Sequence, residues 1–361
     1  MKEQEKLFFK SLCKFRTEKV NANLAEFATP SVLGHLFFNR MQGIAYDMLK
    51  KSNLLGKVNR EFRNSLDASY EQNKQRNNSY LSCVDMVSKI LSGRECKVAM
   101  LKGAYLCAHY PEGYRTSNDI DLLVNPEDVT TVGQLLVETG FEQGNIKNGE
   151  FAPATRREVI ESKMMRGETV PYIMEVNLPF MKFLEVDINF SLDYKPGDTY
   201  VLSDMLSHIC VRREKRIHVP TLNTEDFFIH LCSHLYKEAT TFPWIEMKRD
   251  MTLYKYCDIY FLLDEMSETD LNNTFTRAKE LGMDKICAYA VLEAIDLFDM
   301  NSDNAKMMAE HYLSDAPKFL LQVTSPKDNK IYQYKTKSAT ERFFMRDRVA
   351  DLKEVSIYEN T

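Results

Sequence analysis

The chain lacks the long apolar run that a membrane-spanning helix requires, and its N-terminal stretch lacks the apolar centre and the small-residue cleavage site of a secretion signal. Its eight cysteines include no C-x-x-C pair, which argues against a zinc site and against a disulfide framework. We therefore expect reduced thiols, no membrane partner and a cytoplasmic location.

The chain also lacks the clustered positive charge that is typical of proteins that bind long nucleic acids. The 361 residues carry a net charge of −5, and no block of lysine and arginine is interleaved with aromatic residues. Proteins that hold many phosphates of a polymer usually have a basic excess. Extended nucleic-acid binding is therefore not expected, whereas contact with an RNA end needs only a local basic patch and stays open.

The most informative stretch is residues 97–124, KVAMLKGAYLCAHYPEGYRTSNDIDLLV. An apolar run ends at the turn Lys102-Gly103-Ala104, and the last six residues alternate before becoming continuously apolar, as in a buried β-strand. Asp119 and Asp121 would project from one face of that strand. Because neighbouring carboxylates repel each other, this pattern favours a bound cation, and hard oxygen ligands suit Mg²⁺ or Mn²⁺.

The turn before this strand is suited to an anion. A strand, a glycine-containing turn and a helix start present backbone N–H groups to which a phosphate can bind. Phosphate beside a divalent metal on paired aspartates is the arrangement of phosphoryl or nucleotidyl transfer. The alternative is that residues 119–124 are an ordinary buried strand with a polar start.

The pattern L-K-G, a short helix and then R-x-S-N-D-I-D-L-L-V resembles the nucleotidyltransferase core of the DNA polymerase β superfamily. It resembles more closely a bacterial group of uncharacterised nucleotidyltransferases. Superfamily members carry a Gly-Gly or Gly-Ser turn, so the turn at Gly103 departs from the pattern and has no serine. The resemblance implies an α+β fold, in which a polymerase β-like core with a small mixed sheet lies between helical N- and C-terminal regions.

The resemblance also implies a third acid on a neighbouring strand. Residues 184–190 alternate cleanly, so that Glu185, Asp187 and Asn189 share one face. Asp187 is our choice for the third acid and Glu185 the second choice, while Asn189 stands where resembling proteins often have histidine. The alternative is a strand with a solvated polar face.

Several residues are predicted to bind the nucleotide: Lys102, Gly103, Ala104, Arg115, Asn118, His234, Lys237 and Lys255. The spacing of His230 and His234 permits a zinc site, but one core histidine and one cleft histidine is the favoured interpretation. Lys255 either reaches a triphosphate or pairs with Asp258 on the helix surface. The basic residues between positions 212 and 216 form either a solvated loop or an anion contact.

The sequence suggests four segments: a helical N-terminal region (1–94), the core (95–195), a helical C-terminal domain (196–325) and a tail (326–361). A turn at residues 195–198 marks the end of the core. Residues 341–354 in the tail have the pattern of an amphipathic helix, whereas the polar helix near Asn73 is assigned no chemistry.

Together these features predict a metal-dependent enzyme. Asp119, Asp121 and Asp187 would be its catalytic residues and metal ligands, and Mg²⁺ or Mn²⁺ its cofactor. It would transfer a nucleoside monophosphate from an NTP to an unknown hydroxyl acceptor, which is a small molecule, a protein or an RNA end. The alternative is a catalytically degenerate module that binds a nucleotide or a partner protein.

Overall fold

The computed structural model describes residues 1–16, 19–192, 200–215 and 217–355. The chain forms two compact units, one of Met1–Asp67 with Phe228–Thr361 and the other of Ala68–Phe227. This grouping differs from the four sequence segments, which stay a prediction. The turn expected at residues 195–198 and the basic residue Arg216 lie outside the described residues.

The helices and strands follow one another along the whole chain. The helices are α1 (Glu3–Cys13), α2 (Pro30–Phe38), α3 (Gln42–Lys51), α4 (Arg60–Leu91), α5 (Gly103–His109), α6 (Val129–Glu138), α7 (Arg156–Arg166), α8 (Tyr200–Ser207), α9 (Thr224–Ala239), α10 (Phe242–Glu246), α11 (Leu253–Glu265), α12 (Glu268–Glu280), α13 (Asp284–Phe298), α14 (Asp303–Tyr312) and α15 (Ala339–Phe344). The strands are β1 (Val98–Met100), β2 (Asp119–Val124), β3 (Glu142–Lys147), β4 (Glu150–Pro153), β5 (Tyr172–Leu178), β6 (Met181–Asn189), β7 (Ile209–Glu214), β8 (Ile217–Leu222), β9 (Gln322–Ser325), β10 (Lys330–Tyr334) and β11 (Leu352–Val355).

The 68–227 unit is built on a mixed sheet with the strand order β1-β2-β6-β5-β3-β4. β2 pairs antiparallel with β1 and parallel with β6, and β5 pairs antiparallel with β6. Helices α5 and α6 flank β2 in the chain. The expected α+β class, with a small mixed sheet and flanking helices, is confirmed.

Alternation along the strands decides which face of this sheet is core. Ile120 and Leu122 of β2, and Val186 and Ile188 of β6, are fully buried, whereas the intervening acids are half-buried. The strand predicted over residues 184–190 is confirmed as β6. The polar region between α6 and β5 forms the β3–β4 hairpin and α7.

The other unit joins the first three helices to the C-terminal elements. Its tail was expected to contain one amphipathic helix over residues 341–354, and this prediction is wrong: α15 ends at Phe344 and β11 pairs with β10 in the sheet β11-β10-β9. Residues 352–355 pair with β10 instead of continuing a helix, and a buried ion pair lies before them in the chain. The Arg342 guanidinium donates to both carboxylate oxygens of Glu293 at 2.5 Å and to the backbone of Thr336 and Lys337, which fixes the chain path before β11.

Over the described ranges, none of the helices is both long enough and apolar enough to cross a lipid bilayer.

Candidate active site

The predicted acids lie together on one face of the two parallel strands. The register of β2 and β6 places Asp119 opposite Glu185 and Asp121 opposite Asp187. Because neighbouring strands are about 4.8 Å apart, each pair of carboxylates shares a short stretch of sheet surface. Asn189 lies further along this face, and its amide donates to Asp121 Oδ1 at 3.4 Å. We call Asp119, Asp121, Glu185 and Asp187 the acid face.

Crowding of negative charge perturbs the protonation of this face. Burial, and then the carboxylates of Asp121 and Asp119, raise the pKa of Asp187 well above its ordinary value. Burial and the charge of Asp119 also raise the pKa of Glu185. Such shifts mark sites where a carboxyl group is ready to accept a proton or a cation.

Lys102 supplies positive charge to the acid face. Its ammonium Nζ lies 3.0 Å from Asp121 Oδ1, and both side chains are largely buried. Burial by itself would lower the pKa of Lys102, but the Asp121 and Asp119 carboxylates raise it above its ordinary value. Lys102 is therefore a charged counter-ion of the acid face.

The backbone at the strand-to-helix turn is unusual. Lys102 has φ 43° and ψ −111°, although it is not glycine. Gly103 follows at the start of α5, and a Cβ atom there would lie 2.4 Å from Ser117 Oγ and 2.5 Å from Ser117 Cβ. Ser117 in turn donates to Asp119 Oδ1 at 2.9 Å. Gly103 is thus required for a close approach that orients the first aspartate.

Helix α4 holds the loop that leads into β2. Four of its side chains, which we call the α4 clamp, donate hydrogen bonds to this loop and to the first residue of β2. Asn73 donates to the Gly113 carbonyl (3.1 Å) and Asn77 to the Arg115 carbonyl (2.7 Å). Arg76 donates to the Ser117 carbonyl (3.4 Å) and to Asn118 Oδ1 (2.5 Å), and the Tyr80 hydroxyl donates to the Asp119 carbonyl (2.7 Å). Their spacing of three, four and seven residues places them on one side of the helix. The clamp fixes where β2 begins.

Three predicted nucleotide-binding residues have local contacts near the acid face. Ala104 is buried, and its N–H donates to the Leu101 carbonyl. Arg115 is buried, and its guanidinium donates to the Thr116 carbonyl. Asn118 is exposed beside the acid face and accepts from Arg76. A role in nucleotide binding stays a prediction for these residues, as it does for Gly103.

The remaining predicted nucleotide-binding residues, His234, Lys237 and Lys255, belong to the other unit. Lys255 forms a salt bridge with Glu238, whose carboxylate also lies 3.4 Å from His234 Nε2. His230 is buried and His234 is half-buried, and the interpretation of His234 as a cleft histidine stays a prediction. Their role in nucleotide binding also stays a prediction.

Two of the basic residues near position 212, Arg212 and Arg213, belong to strand β7 and not to a loop, and Lys215 lies in the turn that follows β7. Arg212 donates to the Tyr105 hydroxyl and to Thr224, and Lys215 donates to the Cys107 and Tyr110 carbonyls at the C-terminal end of α5. Cations stabilise the carboxyl end of a helix. These two residues therefore support α5.

Sequence reasoning missed four contributors to the acid face. Ser117 and Tyr80 orient the first aspartate, Asn77 holds the loop before it, and the charge of Glu168 helps to raise the pKa of Asp187. Amides and a tyrosine recurring at the helical spacing of a buried stripe were the available signal for the α4 residues. No pattern in the sequence indicated Glu168.

Comparison with known proteins identifies the family of this chain. A family model described as uncharacterised nucleotidyltransferase matches residues 30–299. No curated protein gives a match to the chain. The match covers the acid face, α4 and most of the C-terminal helices, and it confirms the resemblance read from the residues around Asp119 and Asp121. The chain belongs to the family of uncharacterised nucleotidyltransferases.

Proposed function

We propose that this protein is a metal-dependent nucleotidyltransferase that moves a nucleoside monophosphate from an NTP to a hydroxyl acceptor. The observation that carries the proposal is the parallel register of β2 and β6, which aligns Asp121 with Asp187 and Asp119 with Glu185 on one face. A purely structural strand pair has no use for four neighbouring carboxyl groups, because their repulsion lowers stability.

The donor set suits Mg²⁺ or Mn²⁺. It consists of carboxylate oxygens, the ligands these cations prefer. Burial and then repulsion from the neighbouring carboxylates raise the pKa of Asp187, and a bound cation would relieve that repulsion. Asp119, Asp121 and Asp187 would hold the metal. When bound, the metal would bind the phosphate oxygens and acidify the acceptor hydroxyl.

The chain's own residues supply the other parts of the reaction. The acceptor oxygen would attack the α-phosphorus, the bond from that phosphorus to the bridging oxygen would break, and pyrophosphate would leave. Asp187, whose pKa is raised, would accept the hydroxyl proton. Lys102 would neutralise charge on the phosphates, and Ser117 keeps the Asp119 carboxylate oriented by its 2.9 Å hydrogen bond.

A second candidate function, a nucleotide-binding or partner-binding module without activity, has an observation of its own. In the ranges that the structure describes, no three histidine, cysteine or acidic side chains are arranged as a ready metal site. The Lys102 ammonium instead pairs with Asp121. In a module that does not bind a metal, this pair would be a permanent salt bridge.

Calorimetric titration of ATP and the other NTPs, with and without Mg²⁺, separates the two functions. The enzyme proposal expects Mg²⁺-dependent binding by the wild type and its loss in Asp119→Asn/Asp121→Asn. A matched control, Asp85→Asn/Asp128→Asn, removes two carboxylates of the same unit outside the acid face and should bind normally. Nucleotide binding that ignores Mg²⁺ and survives the first double change would contradict the enzyme proposal and favour the binding module.

The acceptor requires a separate measurement. Incubation with each NTP and Mg²⁺, followed by mass spectrometry of the intact protein, reports transfer onto the protein's own hydroxyl groups. The same reactions with added RNA or metabolite pools report transfer onto external acceptors. Asp187→Asn should abolish each product, because it removes the proton acceptor while keeping the size of the side chain.

A further inference from the structure

Lys102 occupies a backbone conformation that disfavours every residue except glycine. Its φ of 43° lies in the left-handed region, and its ψ of −111° lies outside the usual left-handed well. Such a conformation persists where surrounding structure enforces it, and it is concentrated at functional sites. A lysine in a conformation that glycine adopts more easily points to a role for its side chain.

The side chain leads directly to the acid face. The ammonium lies 3.0 Å from Asp121 Oδ1, with 21% of the lysine side chain and 13% of the aspartate side chain exposed. Its charge also acts on Asp119 and Asp187, because both carboxylates raise the pKa of Lys102 and Lys102 lowers that of Asp187. One cation therefore contacts Asp121 and acts electrostatically on the other two proposed metal ligands.

A divalent cation would need the same carboxylate oxygen. Asp121 Oδ1 already accepts from Lys102 and from the Asn189 amide. An ammonium and a divalent cation bound at the same carboxylate oxygen would repel each other strongly. Ammonium and metal therefore compete for the acid face.

We propose that Lys102 is a built-in counter-ion that holds the acid face in a metal-free form and that is displaced from Asp121 when a divalent cation binds. This inference rests on the proposed function, since it concerns how the same site is loaded. Lys102 sets the metal concentration at which the site fills. Once displaced, its ammonium is available to the phosphates of the incoming nucleotide, so that metal and nucleotide load together.

Mn²⁺ binding in the absence of nucleotide, measured from the electron paramagnetic resonance signal of the free ion, tests the displacement of Lys102 independently of activity. Lys102→Met removes the ammonium and keeps the strained backbone, whereas Lys102→Gly removes both. Both variants should bind Mn²⁺ about tenfold more tightly than the wild type, the lower end of the effect of one nearby charge on a carboxylate. Lys97→Met, which removes an exposed lysine of the same unit, should leave Mn²⁺ affinity unchanged.

The outcomes separate the two proposals. Tighter binding by both Lys102 variants, and a larger rise in their melting temperature on adding Mn²⁺, supports the exchange. Equal or weaker Mn²⁺ binding by Lys102→Gly, with its circular dichroism intact, overturns the exchange and leaves the proposed function standing. Failure of the wild type and of every variant to bind Mn²⁺ overturns the metal-dependent function and this inference with it.

Discussion

Replacing Gly103 by alanine tests the close approach that orients Asp119. The added Cβ would lie 2.5 Å from Ser117 Cβ, an atom that cannot rotate away, and 3.1 Å from the Tyr80 hydroxyl oxygen. Overpacking of this kind costs about 1–3 kcal/mol. The higher helix preference of alanine offsets up to about 1 kcal/mol at an interior helical position and less at the start of α5.

With an offset of about 0.5 kcal/mol, the expected net loss in the free energy of unfolding is about 0.5–2.5 kcal/mol. For a unit of this size it corresponds to a fall of about 1–10 °C in melting temperature, measured by scanning calorimetry. The control is Gly34→Ala. Gly34 is exposed within α2, and its added Cβ would meet no atom within 4 Å, so this variant should gain about 0.5–1 kcal/mol.

The essential result is that Gly103→Ala lowers the free energy of unfolding whereas Gly34→Ala raises it. Gly103→Ala should also weaken Mn²⁺ binding, because displaced Ser117 loses its hydrogen bond to Asp119. If Gly103→Ala is as stable as the wild type and binds Mn²⁺ equally well, then the turn is not constrained by Ser117 and the reasoning fails.

Two further predictions concern the residues around Gly103. Asn77→Ala should lower the free energy of unfolding, measured in urea, by about 1–3 kcal/mol, because it leaves the backbone carbonyl of buried Arg115 without its donor. The control Asn78→Ala, at an exposed position, should change it by under about 0.5 kcal/mol. Equal effects of the two changes would contradict the α4 clamp. Folding raises the pKa of Asp187, so its stabilising contribution is complete below the unfolded pKa of about 4 and is lost as the pH rises through the folded pKa. The metal-free wild type should therefore lose melting temperature relative to Asp187→Asn as pH rises from about 4 to 8, and a constant difference would contradict this.

The acids of this site were predictable because strand periodicity reveals which residues share a face. Asp119 and Asp121 stand two apart in one strand, and Glu185 and Asp187 two apart in another. Periodicity does not reveal which strands pair, in which direction or in which register. Those properties depend on the whole sheet, and the resemblance to a family, not the residue pattern, suggested that the two strands are neighbours.

The supporting contacts of the acid face were not predictable from local pattern. The α4 clamp joins residues about forty positions apart in the chain, and its amides bond to backbone carbonyls, which carry no sequence signature. The strained backbone of Lys102 was equally hidden, because the sequence alone favours glycine for such a turn. The tail prediction failed for a related reason, since pairing with the preceding strand β10 overrode its helical pattern.

The parallel pairing of β2 with β6 restricts where this chain can change length during evolution. Adding one residue inside β6 before Asp187 would turn its carboxylate toward the packed apolar side, because successive side chains alternate. Adding residues at the exposed tip of the β3–β4 hairpin, Asn148-Gly149, leaves that alignment intact. Insertions among family members should therefore accumulate at this tip, and a fluorescent tag placed there should report on the protein without disturbing the acids.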